Sequence, residues 1–393
     1  MSESESHKIN TPTDKAVLRV LQVLPELNAG GVERTTVEIT EALIEKGHKA
    51  HVLSAGGRME NEIAELGGTL HTAPIGSKNI MTLLPRVVLI KKLIKDHNIN
   101  IVHARSRAPA WPAFLACKLS DTPFVTTYHG IYNAKSALKR FYNSVMAKGD
   151  IIIANSNFTR DHIVKTHKTK NRPITVIHRG VDMGVFDPAK VSQDSVTALR
   201  AQWAGAEDEF SNHKFIVLPG RLTRWKGQLD ALDALVKLPA FCHLICVGDA
   251  QGRHDYVKEV EQKVDDLNLT GRVIFAGHRT DMPPILKAAD VVLSASNEPE
   301  AFGRIAAEAQ AMGRPVVATA LGGALETVED KKTGFLVAPG DSAAMTKALQ
   351  RAMVWPTYDG GHARSRIARH FSKKSLQIHT LDVYRAALKA KNR

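Results

Sequence analysis

Ala16-Val-Leu-Arg-Val-Leu-Gln-Val-Leu24, then Asn28-Ala-Gly-Gly31, then Val32 to Lys46 is the passage on which the fold turns. The first segment is short, apolar and rich in β-branched residues, as a strand buried on both faces of a parallel sheet must be. The paired glycines allow a tight turn. Val37, Ile39, Ala42, Leu43 and Ile44 then recur at helical spacing until Gly47 stops the helix. His48 to Ser54 is apolar again and reads as the next strand. Strand, glycine turn, helix and strand make a βαβ unit.

The unit recurs along the chain. Ile99 to Ala104, Phe124 to Tyr128, Asp150 to Ala154 and Ile174 to Ile177 read as strands, with helices over Pro109 to Leu119 and Ser136 to Met146. A connector punctuated by Gly and Pro, Arg179 to Pro188, interrupts the series. The pattern then restarts. Strands are expected at Phe215 to Gly220, His243 to Gly248, Val273 to Gly277, Val291 to Ser294, Pro315 to Thr319 and Gly334 to Val337. Helices fall at Asp230 to Leu238, Tyr256 to Leu267 and Phe302 to Met312. Alternation on both sides of a linker predicts an α/β protein of two doubly wound, Rossmann-like domains facing across a cleft. The expected divisions are a disordered leader over 1–14, a first Rossmann-like domain over 15–185, a second over 186–372, and a last helix over 373–393.

Bulk properties bound the function. A chain of 393 residues is long for one core and comfortable for two. No apolar run approaches the roughly 18 residues that span a bilayer, and the polar N-terminus lacks the apolar core of a secretory signal. The three cysteines, Cys117, Cys242 and Cys246, are too few for a disulfide framework and read as core thiols, so the cytoplasm is the expected compartment. The net charge of +13 is concentrated: residues 81–179 hold 17 basic against 4 acidic side chains. A block of this kind suits an anionic partner, and equally a solvated basic face. Nucleic acid is disfavoured, because aromatic residues are only 6% of the chain and no recognition motif appears.

Four loops carry candidate chemistry, each just past a strand, where ligands bind in such sheets. In Glu300-Ala-Phe-Gly-Arg-Ile-Ala-Ala-Glu308, Gly303 permits close approach of a ligand. The amides of Phe302, Gly303 and Arg304 open a helix, and helix N-termini favour phosphate. Glu300 and Glu308 are carboxylates suited to hydroxyls and vicinal diols. In Gly220-Arg-Leu-Thr-Arg-Trp-Lys-Gly227, Arg221 and Lys226 place two cations where a pyrophosphate would gain charge on leaving. Arg224 reads as solvated. Gly30 and Gly31 suit phosphate or sugar before a helix, although the third glycine of a dinucleotide fingerprint is missing. His129 stands just past a strand in the basic half. There is no Asp-x-Asp, so no metal and no cofactor is indicated, and charge neutralisation falls to side chains and the helix dipole.

At these residues the chain resembles the retaining glycosyltransferases of family 4, which have the GT-B fold. The likeness covers almost the whole chain. It rests on Glu300-x7-Glu308 with Phe302 and Gly303 inside, on Gly313-Arg-Pro-Val-Val-Ala, on Gly322-Gly323 to Glu326, and on Gly220 to Gly227. Asn155-Ser156 and Gly180-Val-Asp182 to Phe186 add to it. The resemblance implies that Glu300 contacts the donor sugar and Glu308 the ribose. It implies further that Arg221 and Lys226 hold the diphosphate, that Gly30 and Gly31 lie under the donor phosphates, and that His129 sits near sugar and acceptor. It also implies that the last helix crosses back onto the N-terminal domain, and that attack is front-face with retention.

By the same resemblance the basic block suggests a glycolipid or polysaccharide acceptor, of the lipopolysaccharide-core kind, at the inner face of a membrane. Leu83 to Lys95 mixes Leu84, Val87, Val88 and Ile94 with Arg86, Lys91, Lys92 and Lys95. Ala134 to Met146 mixes Leu138, Phe141 and Val145 with Lys135, Lys139 and Arg140. Such stripes suit either a lipid surface or the core. A nucleotide-sugar epimerase of the same fold, a nucleic-acid binder and an inactive sugar-binding protein are the competing readings.

Overall fold

The computed structural model describes residues 16–28, 30–132, 136–169, 171–205 and 212–391. The expected leader, 1–14, and Ala134 and Lys135 of the second basic stripe lie outside them. The chain forms two compact units. The first comprises residues up to Asn155, Thr159–Ile177 and the chain from Leu376 onward; the second comprises Ser156–Phe158 and His178–Ser375.

The first unit is built on a seven-stranded parallel sheet. Its strands are β1 (Arg19–Val23), β2 (Lys49–Ser54), β3 (Thr69–Thr72), β4 (Ile101–Ala104), β5 (Phe124–Tyr128), β6 (Ile151–Ala154) and β7 (Ile174–Val176). The order is β3-β2-β1-β4-β5-β6-β7, so the chain reverses direction across the sheet between β1 and β4. Strand side chains alternate between faces, and the two cores show it. Val20 and Ile101 join Ile39 and Leu43 of the helix Gly31–Glu45 on one side. Leu21, Val23 and Val102 join Val87, Ile90 and Leu93 of the helix Leu83–Asp96 on the other.

The last helix, Lys373–Lys391, supplies Leu376, Leu381, Val383, Tyr384 and Ala387 to the first of these cores. Its Tyr384 hydroxyl bonds Nδ1 of the buried His103 at 2.7 Å, and His103 Nε2 meets the Thr127 hydroxyl at 2.7 Å. Beside them the buried Arg105 donates to Gln22 Oε1 at 2.9 and 2.6 Å. Burial pushes His103 well below its usual value and lowers Arg105, so this network is a polar plug held by its own hydrogen bonds.

The second unit has a six-stranded parallel sheet: β8 (Lys214–Pro219), β9 (Cys242–Val247), β10 (Val273–Gly277), β11 (Val291–Ser294), β12 (Val316–Thr319) and β13 (Gly334–Val337). The order β10-β9-β8-β11-β12-β13 reverses between β8 and β11. Cys242 and Cys246 on β9 and Cys117 in the first unit are free and buried, and burial pushes the Cys242 thiol up to about 11.

The unit boundary falls earlier than residue 185, and the reason is local pairing. Val181 bridges to Ser372, so the Gly- and Pro-rich connector belongs to the second unit. Glu326 draws Asn157 and Phe158 into it as well. Its carboxylate accepts from the backbone N–H of Asn157 at 2.9 Å and of Phe158 at 3.0 Å, and meets His178 Nε2 at 2.8 Å. Burial alone would raise this carboxyl; the bonds from His178, Asn157 and Phe158 outweigh it and bring it down to about 2.

Arg86 is also placed differently from its reading as part of a basic face. It is buried and donates to the carbonyls of Thr82, Ile75, Ser77 and Asn79, closing the loop before its own helix. Val87 and Ile94 face the core, whereas Leu84, Val88, Lys91, Lys92 and Lys95 are exposed.

Candidate functional site

The carboxyl ends of β8 and β11 meet at the point where the second sheet reverses order, the place where an α/β sheet opens a crevice for a ligand. Two loops leave this edge side by side. After β8 the chain passes Gly220 and Arg221 and makes a 3₁₀ turn over Arg224–Lys226, and Gly227 then opens the helix Gln228–Leu235. Gly227 has φ 74°, and a Cβ there would overlap the carbonyl of Ala295, just past β11. Asn297 N–H donates to the Trp225 carbonyl at 2.7 Å and clamps the two loops together.

That clamp sets the central contact. Lys226 Nζ donates to Glu300 Oε1 at 2.8 Å, and the Ser296 hydroxyl donates to the same oxygen at 2.5 Å. The side chains of Lys226 and Glu300 are 11% and 20% exposed, so the pair is largely withdrawn from water yet reachable. A pair in this setting is geometrically defined by its partners rather than by solvent. Lys226 also lies 4.5 Å from the Trp225 ring centroid, which limits its swing. Arg221 is exposed and donates to Gln251 Oε1 at 3.2 Å, from the loop that follows β9.

Beyond Glu300 the backbone is held by the next loop. Gly323 N–H donates to the Glu300 carbonyl at 2.7 Å, and a Cβ on Gly322 or Gly323 would overlap the backbone of Glu300 or Phe302. The following helix is Arg304–Ala311, with Gly303 in the left-handed conformation before it. It starts two residues later than its sequence pattern suggests, because Gly303 turns the chain and Phe302 packs into the core between His178 and Phe371. Only the backbone of Phe302 is therefore available to a ligand. Glu308, one turn into the helix, is 3% exposed and paired with Arg304. Burial pushes its carboxyl up, and Arg304 pulls partly against that. Arg224 pairs with Glu259 at the surface, apart from this group.

The structure thus brings Glu300 into direct contact with Lys226 and Ser296, and places Arg221 and Gly303 on loops of the same edge and Arg304 and Glu308 in the helix that follows. Ser296 and Gln251 carry no signal in the sequence, since each is a lone polar residue in a loop. In the first unit, Gly30 (φ 146°) precedes and Gly31 opens the helix Gly31–Glu45 that follows β1. His129 follows β5, and its carbonyl accepts from the Asn155 side chain at 3.2 Å. These residues occupy the carboxyl edge of the first sheet.

Known proteins match both halves of the chain. Residues 29–185 match the family described as Glycosyltransferase Family 4, and residues 213–354 match Glycosyl transferases group 1. The D-inositol 3-phosphate glycosyltransferase of Xylanimonas cellulosilytica is 30% identical over 310 residues, 74% of this chain and 72% of that protein. Other relatives of the same name are spanned over 53% to 62% of their own length. A glycosyltransferase from Rickettsia africae ESF-5 superposes with a TM-score of 0.86 at 34% identity, over 95% of this chain and 99% of that one. Anabaena Alr3699/HepE, in complex with UDP-glucose, superposes with a TM-score of 0.78 at 25% identity, over 93% and 99%. With both halves matched and a relative aligned over most of its length, the chain belongs to glycosyltransferase family 4 and is a glycosyltransferase.

Proposed function

We propose that the protein transfers a hexose, with retention of anomeric configuration, from a UDP- or GDP-sugar to a hydroxyl of an acidic acceptor, a membrane glycolipid or cell-surface polysaccharide precursor of the lipopolysaccharide-core kind. The observation that carries this reading is the Lys226–Glu300–Ser296 contact at the reversal point of the second sheet. A carboxylate oriented by a lysine and a serine suits the hydroxyls of a donor sugar. The ammonium beside it, with Arg221, suits the diphosphate, whose charge grows as the glycosidic bond breaks. Glu308 would accept from the ribose hydroxyls, and the amides of Gly303 and Arg304 would face phosphate. Gly30 and Gly31 would lie under the donor phosphates, and His129 would sit near the sugar and acceptor. The leaving diphosphate would take the proton of the attacking hydroxyl on the same face, which needs no nucleophilic carboxylate and no metal. The UDP and UDP-glucose complexes of HepE favour uridine over guanosine as the base.

The basic block over residues 81–179 and the exposed stripe of Met81, Leu84 and Val88 support an acceptor presented at an anionic membrane surface. The names of the curated relatives favour a second reading, a soluble inositol phosphate acceptor. Both acceptors are anionic, and one assay separates them. The chain is incubated with UDP- and GDP-hexoses and either extracted acidic glycolipid or inositol 3-phosphate, and the product anomer is read by NMR. Acceptor-dependent transfer with retention is expected. Inversion, or donor turnover that ignores both acceptors and yields a free epimer, overturns the proposal.

A further inference from the structure

A second cluster lies in the first unit, away from the carboxyl edge. The β2–β3 register sets His51 opposite Thr69 and Leu53 opposite His71. Residues two apart on a strand share a face, so His51 and His71 are diagonal neighbours on the face that carries Leu53. That face is covered by the helix Leu83–Asp96 through Val87, Ile90, Leu93 and Ile94. His97 caps the end of this helix, and Asn98 follows in the left-handed conformation (φ 50°), which turns the chain towards β4. The third imidazole is thereby delivered to the other two.

The three rings form a closed triangle, with centroids 5.5, 4.8 and 4.9 Å apart. One nitrogen from each lies within 4.8 Å of the others, and His51 Nδ1 is 3.2 Å from His71 Nε2. Two nitrogens bound to one tetrahedral ion at about 2.0–2.1 Å stand roughly 3.3–3.4 Å apart. The shortest edge is already close to that length, and turning the half-buried side chain of His97, at the end of a helix, would shorten the others. Nothing in the donor chemistry uses these residues.

We propose that His51, His71 and His97 form a binding site for one divalent transition-metal ion of the zinc class, with water in the fourth position. Three imidazoles with no carboxylate among them select zinc, copper or nickel over magnesium or calcium. The ion would tie the C-terminal end of the helix Leu83–Asp96 to β2 and the edge strand β3, and so acts on the stability of the first unit, not on the chemistry of transfer.

The test uses the untagged full-length chain, stripped with a chelator and titrated with zinc by calorimetry, and with cobalt(II) followed by absorption. One equivalent is expected, with a tetrahedral cobalt spectrum and a melting temperature that rises with zinc, because a ligand of the folded state stabilises it. His71→Gln and His97→Gln each lose about ten-fold or more in affinity, the low end of what loosening a metal shell costs, and the double variant loses that equivalent. Zinc also shifts the ring signals of these three histidines in the NMR spectrum of the unaltered protein, a readout that needs no variant. No uptake by the unaltered protein, or equal uptake by the double variant, overturns the proposal. Metal uptake is measured without donor or acceptor, so it stands or falls apart from the transferase reading.

Discussion

Lys226 and Glu300 are 74 residues apart in sequence and 2.8 Å apart in space, and each owes its position to the other's loop. Removing either leaves a partly buried charge without its partner at the edge that would hold the donor. Lys226→Ala and Glu300→Gln are each expected to lower turnover roughly 10²-fold or more, the scale of removing one transition-state contact. Steady-state transfer assays with melting curves as a folding control check this; near-normal turnover in both refutes the assigned roles. Each residue, though not their contact, was legible from sequence because it sits in a loop that follows a buried strand. Ser296 was not, since nothing in Ala-Ser-Asn marks a serine as a carboxylate's partner. Arg86 read as surface charge for a related reason: a sequence shows how basic a helix is, but not that four carbonyls wait for its arginine. The histidine triangle is spread over residues 51, 71 and 97, and only the strand register and a helix end bring it together.

At the scale of elements, the close approach of the β8 and β11 loops depends on a glycine. Gly227 combines φ 74° with backbone contact to Ala295, so Gly227→Ala meets both a strained backbone and a steric overlap. A loss of about 2 kcal/mol or more is expected, read by denaturant unfolding, together with weaker nucleotide binding by calorimetry. An unchanged unfolding midpoint would show that the loops need not touch. Most buried strands were legible, because continuous apolar runs beside glycine have few other homes. The edge strand β3, Thr-Leu-His-Thr, and the helix Glu60–Glu65 were not. An edge strand of four residues with half-polar composition lacks the apolar run that marks the central ones.

For the molecule as a whole, charge and exposed apolar surface coincide on one helix of the first unit. Leu84 and Val88 are 71% and 65% exposed, one turn apart, and Lys91, Lys92 and Lys95 continue the exposed face. Among the described residues no helix is long and apolar enough to cross a membrane, so such a surface would rest on a bilayer without spanning it. Co-sedimentation with phosphatidylglycerol vesicles is expected to exceed that with phosphatidylcholine. It should fall as salt rises from 0.1 to 1 M, where the screening length shortens from about 10 to about 3 Å. The double variant Leu84→Asp/Val88→Asp should abolish it, and binding that ignores salt and both substitutions removes the membrane surface from the proposal. One further property follows from the last helix, whose Tyr384 meets His103 inside the first unit's core. Domains assemble as synthesis proceeds, N-terminal first. Here the unit begun first receives its closing side chains only after the second unit has been translated. The nascent first sheet therefore emerges with one face only partly covered, by the helix Gly31–Glu45, and it is finished last.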